Sequence, residues 1–308
     1  MLQRDAGEDS HAPLDGVCEG KETEVLMARI SDGLRGQCCV ITGGAGVIGS
    51  SLVEALASNG VKVAIVDLNA DLAEQRAGEI ASATEGTVIG VGGDVLETRS
   101  LIDAKRIVND RLGSVDILVN AAGGNSPQAT TAVEMIEDSD LDHLEATFYG
   151  LEMEGFRKVF DLNFIGTLLP SIVFTRDMIE RKGGVVVNIS SMNSFRPLTK
   201  IPAYSAAKAS VNNFTAWLAV HLAPQNIRVN AIAPGFFDTE QNHFLLFDKE
   251  TGALSARGNK VISGTPMRRF GTADELQGTL LFLVSDMSKF VTGIVIPVDG
   301  GFSAYSGV

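Results

Sequence analysis

Residues 37–49 read QCCVITGGAGVIG, an apolar run that ends in a cluster of glycines and passes directly into a helical pattern. An apolar run without alternation suits a strand buried on both faces. Gly44, Gly46 and Gly49 form GxGxxG, with Gly43 just before it and Val47 and Ile48 inside it. Glycine permits a tight turn and close backbone approach, and the N-terminus of the next helix attracts a pyrophosphate. In a chain with 33 glycines the pattern carries weight only when a strand precedes it and a helix follows. Both are expected here.

The same alternation continues outward. Short apolar runs predict strands at 37–42, 62–67, 87–92, 117–120, 184–189, 227–233 and 294–298, with helices at about 47–59, 69–83, 98–112, 156–181, 203–222 and 273–284. Doubly buried strands alternating with helices imply an α/β fold with a single Rossmann-type, doubly wound parallel sheet and helices on both faces. That domain spans 34–308. Residues 1–33 form a separate acidic zone, read as an N-terminal extension that is flexible or docked on the surface.

In such sheets ligands bind beyond the carboxyl ends of the strands, where several polar residues fall. Asp67 closes KVAIVD, eighteen residues beyond Gly49, where a carboxylate can accept both ribose hydroxyls of NAD and repel the 2′-phosphate of NADP. A helix N-cap is the alternative. Asp94 and Val95 follow VIGVGG, and Asn120, Ala121, Ala122 and Gly123 follow VDILV. Asp94 offers an acceptor for an adenine amino group, and 120–123 a small-residue floor beside the cofactor, although capped loops would explain either stretch.

The chemistry is concentrated in SSMNSFRPLTKIPAYSAAKAS, residues 190–210. Tyr204 and Lys208 are four apart and share a helix face, so the ammonium is placed to favour phenolate and make Tyr204 an acid or base. The Ser191 hydroxyl, at the preceding strand end, can hold a carbonyl oxygen while hydride adds behind it. A Tyr and a Lys at this spacing also occur as an ordinary surface pair.

Bulk properties narrow the classes. A formal charge of −13 argues against nucleic acid, and no apolar run reaches the roughly 18 residues that span a bilayer, so no membrane partner and a cytoplasmic protein are expected. Cys18, Cys38 and Cys39 lack metal or disulfide spacing, and the four histidines are scattered, so no metal is expected.

TGGAGVIG, NAAG, Ser191, Tyr204-x-x-x-Lys208 and Pro234-Gly235, in that order, resemble the short-chain dehydrogenase/reductase family over about 34–308. The resemblance implies Tyr204 as proton donor or acceptor, Lys208 as binder of the nicotinamide ribose and depressor of the tyrosine pKa, and Ser191 as the residue orienting the substrate carbonyl. It further implies that Asn163 holds a water in a proton relay and that Thr239, in PGFFDTE, binds the carboxamide. Asn163 could instead bond a helix carbonyl, and the Thr239 loop could be a plain turn. Val47 departs from the family's usual TGxxxGxG, which has glycine there. The string instead fits TGxxGxxG of the extended relatives that include sugar-nucleotide epimerases, yet the short C-terminal tail leaves little room for their substrate domain.

NAAGGNSPQATT (120–131), SSMNSFRPLTKIPAYSAAK (190–208), TPMRRFG (265–271) and PVDGGFSAYSGV (297–308) resemble the D-mannonate oxidoreductases, or fructuronate reductases, within the family. This implies NAD-linked interconversion of a keto sugar acid, D-fructuronate, and its hydroxy acid, D-mannonate. The motifs also admit a gluconate, polyol or 3-oxoacyl reductase, or a dinucleotide sensor without catalysis. For a sugar-acid substrate Arg196, with Lys200, is a candidate carboxylate anchor, and Arg268 or Arg269 a fallback. Asn125, Asn193, Gln241, Asn242 and His243 are candidates for hydroxyls. The segment 125–155 is read as a lid, an interface or a solvated acidic surface. The long apolar helices at 156–181 and 203–222 resemble those that pair between family subunits, implying a homotetramer or, failing that, a dimer.

Overall fold

The computed structural model describes residues 33–238, 243–249 and 251–307. The N-terminal extension, apart from Gly33, and Thr239, Gln241 and Asn242 lie outside them.

Strands β1 (Cys38–Thr42), β2 (Lys62–Asp67), β3 (Val88–Gly92), β4 (Ile117–Asn120), β5 (Gly184–Ile189), β6 (Ile227–Pro234) and β7 (Val295–Val298) form one parallel sheet in the order β3-β2-β1-β4-β5-β6-β7. The helices are α1 (Val47–Ser58), α2 (Ala70–Thr84), α3 (Thr98–Arg111), α4 (Met153–Phe160), α5 (Gly166–Arg181), α6 (Pro202–Leu222), α7 (His243–Leu246), α8 (Ala256–Gly264) and α9 (Gln277–Val284).

Strand β1 shows why the sheet needs helices on both sides. Its successive side chains point to opposite faces. Cys39 and Ile41 enter a core with Leu52, Leu56, Ala73 and Leu280, from α1, α2 and α9. Cys38 and Val40 enter a second core with Leu101, Phe174, Met178 and Leu218, from α3, α5 and α6. Burial pushes the Cys38 thiol up to about 12 and the Cys39 thiol well above its ordinary value, so both act as small core hydrophobes. The strand order reverses between β1 and β4, which opens the crevice expected for a ligand.

Two expectations need amendment. The helix predicted over 156–181 is interrupted by one π-helical turn, Asp161–Ile165, that separates α4 from α5 and contains Asn163. The helical stretch Asp138–Arg181 also holds an 18-residue window of mean hydropathy 1.2, long and apolar enough to cross a membrane. Half of that window is buried inside the molecule, with Val173, Phe174 and Met178 in the second core.

Periodicity did not reveal α8 or the short 3₁₀ turns Pro127–Ala129, Asp138–Ala146 and Phe148–Gly150. These turns give the 125–155 segment its shape. It is tied to the loop before α6, where Thr131 N donates to Lys200 O at 3.0 Å and Lys200 Nζ to Ala132 O at 2.5 Å. Glu134 pairs with Lys260 of α8.

Candidate active site

A cavity of about 610 Å³ opens at the carboxyl ends of β1, β2, β4, β5 and β6. Its floor is the glycine turn. Gly43 has φ +65°, and a Cβ there would lie 2.7 Å from the Ala122 Cα, so only glycine lets the turn pass the β4 end. At Gly49 a Cβ would lie 2.4 Å from Gly43 O, so α1 starts hard against the turn.

Gly46 is the N-cap of α1, provides no side-chain acceptor, and is followed by a first turn without acidic residues. The orphan N–H groups there suit an anion. Val47 and Ile48 line the cavity, and Val47 is not among the residues with positive φ, so the departure from glycine costs no strain. Gly44 does not line the cavity; it packs against Ile41 and Ile65.

Asp67 lines the cavity and is not the cap of α2. Asn69 is that cap, accepting from Leu72 N at 3.1 Å. Asp67 accepts from Ala45 N at 3.4 Å and Asn69 N at 3.2 Å, which leaves carboxylate lone pairs for a further donor. Asp94 and Val95 also line the cavity, although one Asp94 oxygen accepts from Leu96 N at 2.9 Å as a loop cap.

Asn120 departs from its expected place. Buried, it donates to Asn188 Oδ1 at 2.8 Å and Ser171 Oγ at 3.0 Å, and so stitches β4 to β5 and α5 instead of facing a ligand. Ala121, Ala122 and Gly123 do line the cavity, as do Pro234 and Gly235 after β6.

Ser191, Tyr204 and Lys208 meet on the opposite wall. Ser191 follows β5 and is hydrogen-bonded to the half-buried Tyr204 phenol. Lys208, buried on the same face of α6, donates from Nζ to Ile189 O at 2.7 Å and stands 5.7 Å from the Tyr204 ring centroid.

Burial pushes the Tyr204 phenol above its ordinary value, and the Ser191 hydrogen bond pulls it back. Burial lowers Lys208 from 10.5 to about 8. The depressed group in this structure is therefore the lysine, where the spacing had suggested the tyrosine. Desolvation outweighs any pull of the ammonium on the phenol.

Asn163 joins this group through the π turn. Its Nδ2 donates to Gly124 O at 2.7 Å and Val159 O at 2.8 Å, and its Oδ1 accepts from Gly124 N at 3.3 Å. The helix-carbonyl reading of this residue holds, through Val159 O, and the same side chain also fixes the loop at Gly124. Gly123 sits between it and the lysine: a Cβ there would lie 2.6 Å from Asn163 Oδ1 and 3.2 Å from Lys208 Nζ.

The expected substrate contacts are not gathered here. Arg196 donates to Tyr305 O at 2.5 Å, and neither Arg196, Asn193 nor Asn125 lines the cavity. Asn125 donates to Thr130 Oγ1 at 3.1 Å, and Asn193 is buried with its Oδ1 unpartnered. Arg268 donates to Ser263 O at 2.6 Å, Arg269 is bidentate to Glu275, and His243 lies 3.0 Å from Asp238. Long side chains reach loop carbonyls and carboxylates nearer than the pocket, which spacing cannot foresee.

Lys158 on α4, which the motifs did not single out, lines the same cavity, and its side chain makes neither a hydrogen bond nor an ion pair among the described residues. Its place five residues before Asn163 was the available signal. Among the described residues no group of three or more His, Cys, Asp or Glu could hold a metal ion.

A family model described as enoyl-(acyl carrier protein) reductase matches residues 43–303. The chain is 47% identical to the uncharacterized oxidoreductase UxuB of Bacillus subtilis, covering 92% of this chain and all of that protein. It is 34% identical to an uncharacterized short-chain type dehydrogenase/reductase of Sinorhizobium fredii, over 87% of this chain and 98% of the relative. A solved structure of a candidate D-mannonate oxidoreductase from Haemophilus influenzae, with bound NAD, superposes with a TM-score of 0.85 at 47% identity, covering 91% and 99% of the two chains.

Proposed function

Because the chain belongs to the short-chain dehydrogenase/reductase family, we propose that it is an NAD-dependent oxidoreductase interconverting D-fructuronate and D-mannonate, or a keto sugar acid and hydroxy acid of that kind. The observation that carries the reaction type is the convergence of Ser191, Tyr204 and Lys208 on one wall of a cavity whose floor is the glycine turn. The substrate class is supported by the likeness to the Haemophilus protein, whose structure holds NAD.

The residues fit the cofactor. Gly43, Gly46 and Gly49 with the uncapped start of α1 would hold the pyrophosphate, Asp67 the adenosine ribose, and Tyr204 and Lys208 the nicotinamide ribose. Thr239, implied for the carboxamide, lies outside the described residues. When bound, NAD takes or supplies the hydride at the substrate carbon.

Ser191 and Tyr204 do the acid–base work. In reduction the substrate carbonyl oxygen accepts from both hydroxyls, and the proton passes from Tyr204 Oη to the developing alkoxide. Desolvation makes this half-buried phenol resist losing that proton, as its raised pKa indicates. The Ser191 hydrogen bond offsets part of this cost, and Lys208, mostly ammonium at pH 7 with a pKa of about 8, stands 5.7 Å from the ring as the cation placed to stabilise a phenolate that forms. Asn163 holds the 123–124 loop against the lysine and fixes the relay geometry. Purified protein assayed with NADH against keto-uronates, keto-gluconates, neutral ketoses and acyl thioesters tests the assignment. Preference for a neutral ketose or a thioester overturns it.

A further inference from the structure

Arg257, Lys260 and Lys200 converge on a second cavity of about 190 Å³ beside the catalytic one, and we propose that it receives the carboxylate of the substrate, with Arg257 as the principal contact. This inference rests on the sugar-acid reading above and deepens it.

The location suits a small extended substrate. Ile201, which lines the second cavity, immediately precedes α6, whose first turn carries Tyr204. Phe236 lines it too, between Gly235 and Phe237 of the catalytic cavity. A molecule whose carbonyl sits at Tyr204 therefore extends past Ile201 and Phe236 into the basic recess. A volume near 190 Å³ is less than the roughly 300 Å³ at which pockets for whole drug-sized ligands begin, and suits one end of a small acid. Leu198, Ile201, Phe236 and Phe302 supply apolar walls for the carbon chain of such a molecule.

The charges converge against the character of the chain, whose net charge is −13. Glu134 already sits among these cations. Its carboxyl is held below the ordinary range first by the hydrogen bond from Lys260, with the charges of Lys200 and Arg257 adding to it. The recess thus accepts a carboxylate from its own chain, that of Glu134.

Among the cations of this side elimination points to Arg257, whereas Lys158, likewise unpaired in its side chain, lines the first cavity. Of the cations near this side, Arg196, Lys200 and Arg268 donate to backbone carbonyls, Arg269 is held by Glu275, and Lys260 by Glu134. The Arg257 side chain makes no hydrogen bond or ion pair among the described residues. It stands in the first turn of α8, which has no acidic residue, where the helix dipole disfavours a cation and favours an anion. A guanidinium there can grip a carboxylate with two parallel bonds.

The test uses the full-length protein with NADH and compares D-fructuronate with D-fructose, which replaces the carboxylate by a hydroxymethyl group. For Arg257→Ala the KM for D-fructuronate should rise at least tenfold with a much smaller change in kcat, and Arg257→Lys should restore part of the loss. Glu134→Gln should lower the same KM severalfold by removing the competing carboxylate. An unchanged KM in Arg257→Ala, or a tenfold loss in Lys158→Ala with none in Arg257→Ala, overturns the subsite while leaving the sugar-acid reading intact. A wild-type enzyme that reduces D-fructose or an acyl thioester but no keto acid overturns both.

Discussion

Replacing Lys208 by Met should make the protein inactive and more stable. The lysine is buried and its pKa falls from 10.5 to about 8, so at neutral pH the folded state carries a charged group that it solvates poorly. At about 1.4 kcal/mol for each tenfold change in proton affinity, that is a penalty of roughly 3 kcal/mol. Losing the hydrogen bond to Ile189 O returns about 1 kcal/mol, so Lys208→Met should gain about 2 kcal/mol at pH 7, a few degrees in Tm.

The sign is set by proton linkage. Below pH 8 both folded and unfolded wild type are protonated, and the whole penalty is present. Between pH 8 and 10.5 the folded state releases its proton while the unfolded chain keeps it, so wild-type stability rises with pH. The advantage of the Met variant should therefore be full below pH 8, shrink as the penalty is relieved, and be gone before pH 10.5, once the remaining penalty is smaller than the hydrogen bond lost. Urea unfolding of the ligand-free proteins across pH 6–10, with turnover measured in parallel, checks this. A Met variant less stable than wild type at pH 7, or an advantage that does not shrink with pH, would refute the desolvation argument.

Tyr204→Phe deletes the transferable proton and keeps the ring, so kcat should fall at least a hundredfold while NADH affinity, read by fluorescence titration, stays within a few fold. NAD should be preferred over NADP by at least tenfold in kcat/KM, which needs only about 1.4 kcal/mol of repulsion at Asp67, and Asp67→Ser should narrow the ratio. Wild-type preference for NADP would remove Asp67 from the ribose. Gly123→Ala drives a methyl group into Asn163 and Lys208 and should cost kcat more than tenfold with far-UV circular dichroism unchanged. Trp217 and Val220 on α6 are 57% and 77% exposed, so if α5 and α6 pair between subunits of a homotetramer, Val220→Arg should give a smaller species by light scattering. A wild type that is already monomeric at micromolar concentration overturns the assembly.

Most of the fold was legible because a parallel sheet buried on both faces admits few residue types in its strands. The runs at 62–67, 117–120 and 184–189 coincide with β2, β4 and β5, since a charged residue in the interior of any of them would enter one core or the other. Asp67, Ser191 and Gly235 follow because residues at strand ends must leave the core and meet the crevice. The π turn was not legible. Nothing in VFDLNFIGT breaks the helical pattern, and the turn is held by tertiary bonds from Asn163 to the 124 backbone, 39 residues away. Asn120 misled for a related reason: it ends a strand like its functional neighbours, yet Asn188 and Ser171 claim its amide across the sheet.

The reacting end of the site is carried by short spacings, Tyr204 to Lys208 and Gly44 to Gly49, which fix geometry through one helix or one turn. The recess at the other end is assembled from Glu134, Lys200, Phe236, Arg257 and Phe302, which no local period connects. Arg196 and Arg257 illustrate the consequence. The first lies between Ser191 and Tyr204 in sequence and turns to the C-terminal segment, whereas the second lies about fifty residues past Tyr204 and lines the recess. Charge near a catalytic motif in sequence thus says little about which cation meets the substrate, because a long side chain takes its nearest acceptor in space. Reaction type can be read from spacing, while specificity depends on tertiary contacts, so substitutions at 134, 257 and 260 should alter which acid is accepted with little effect on the proton transfer at Tyr204.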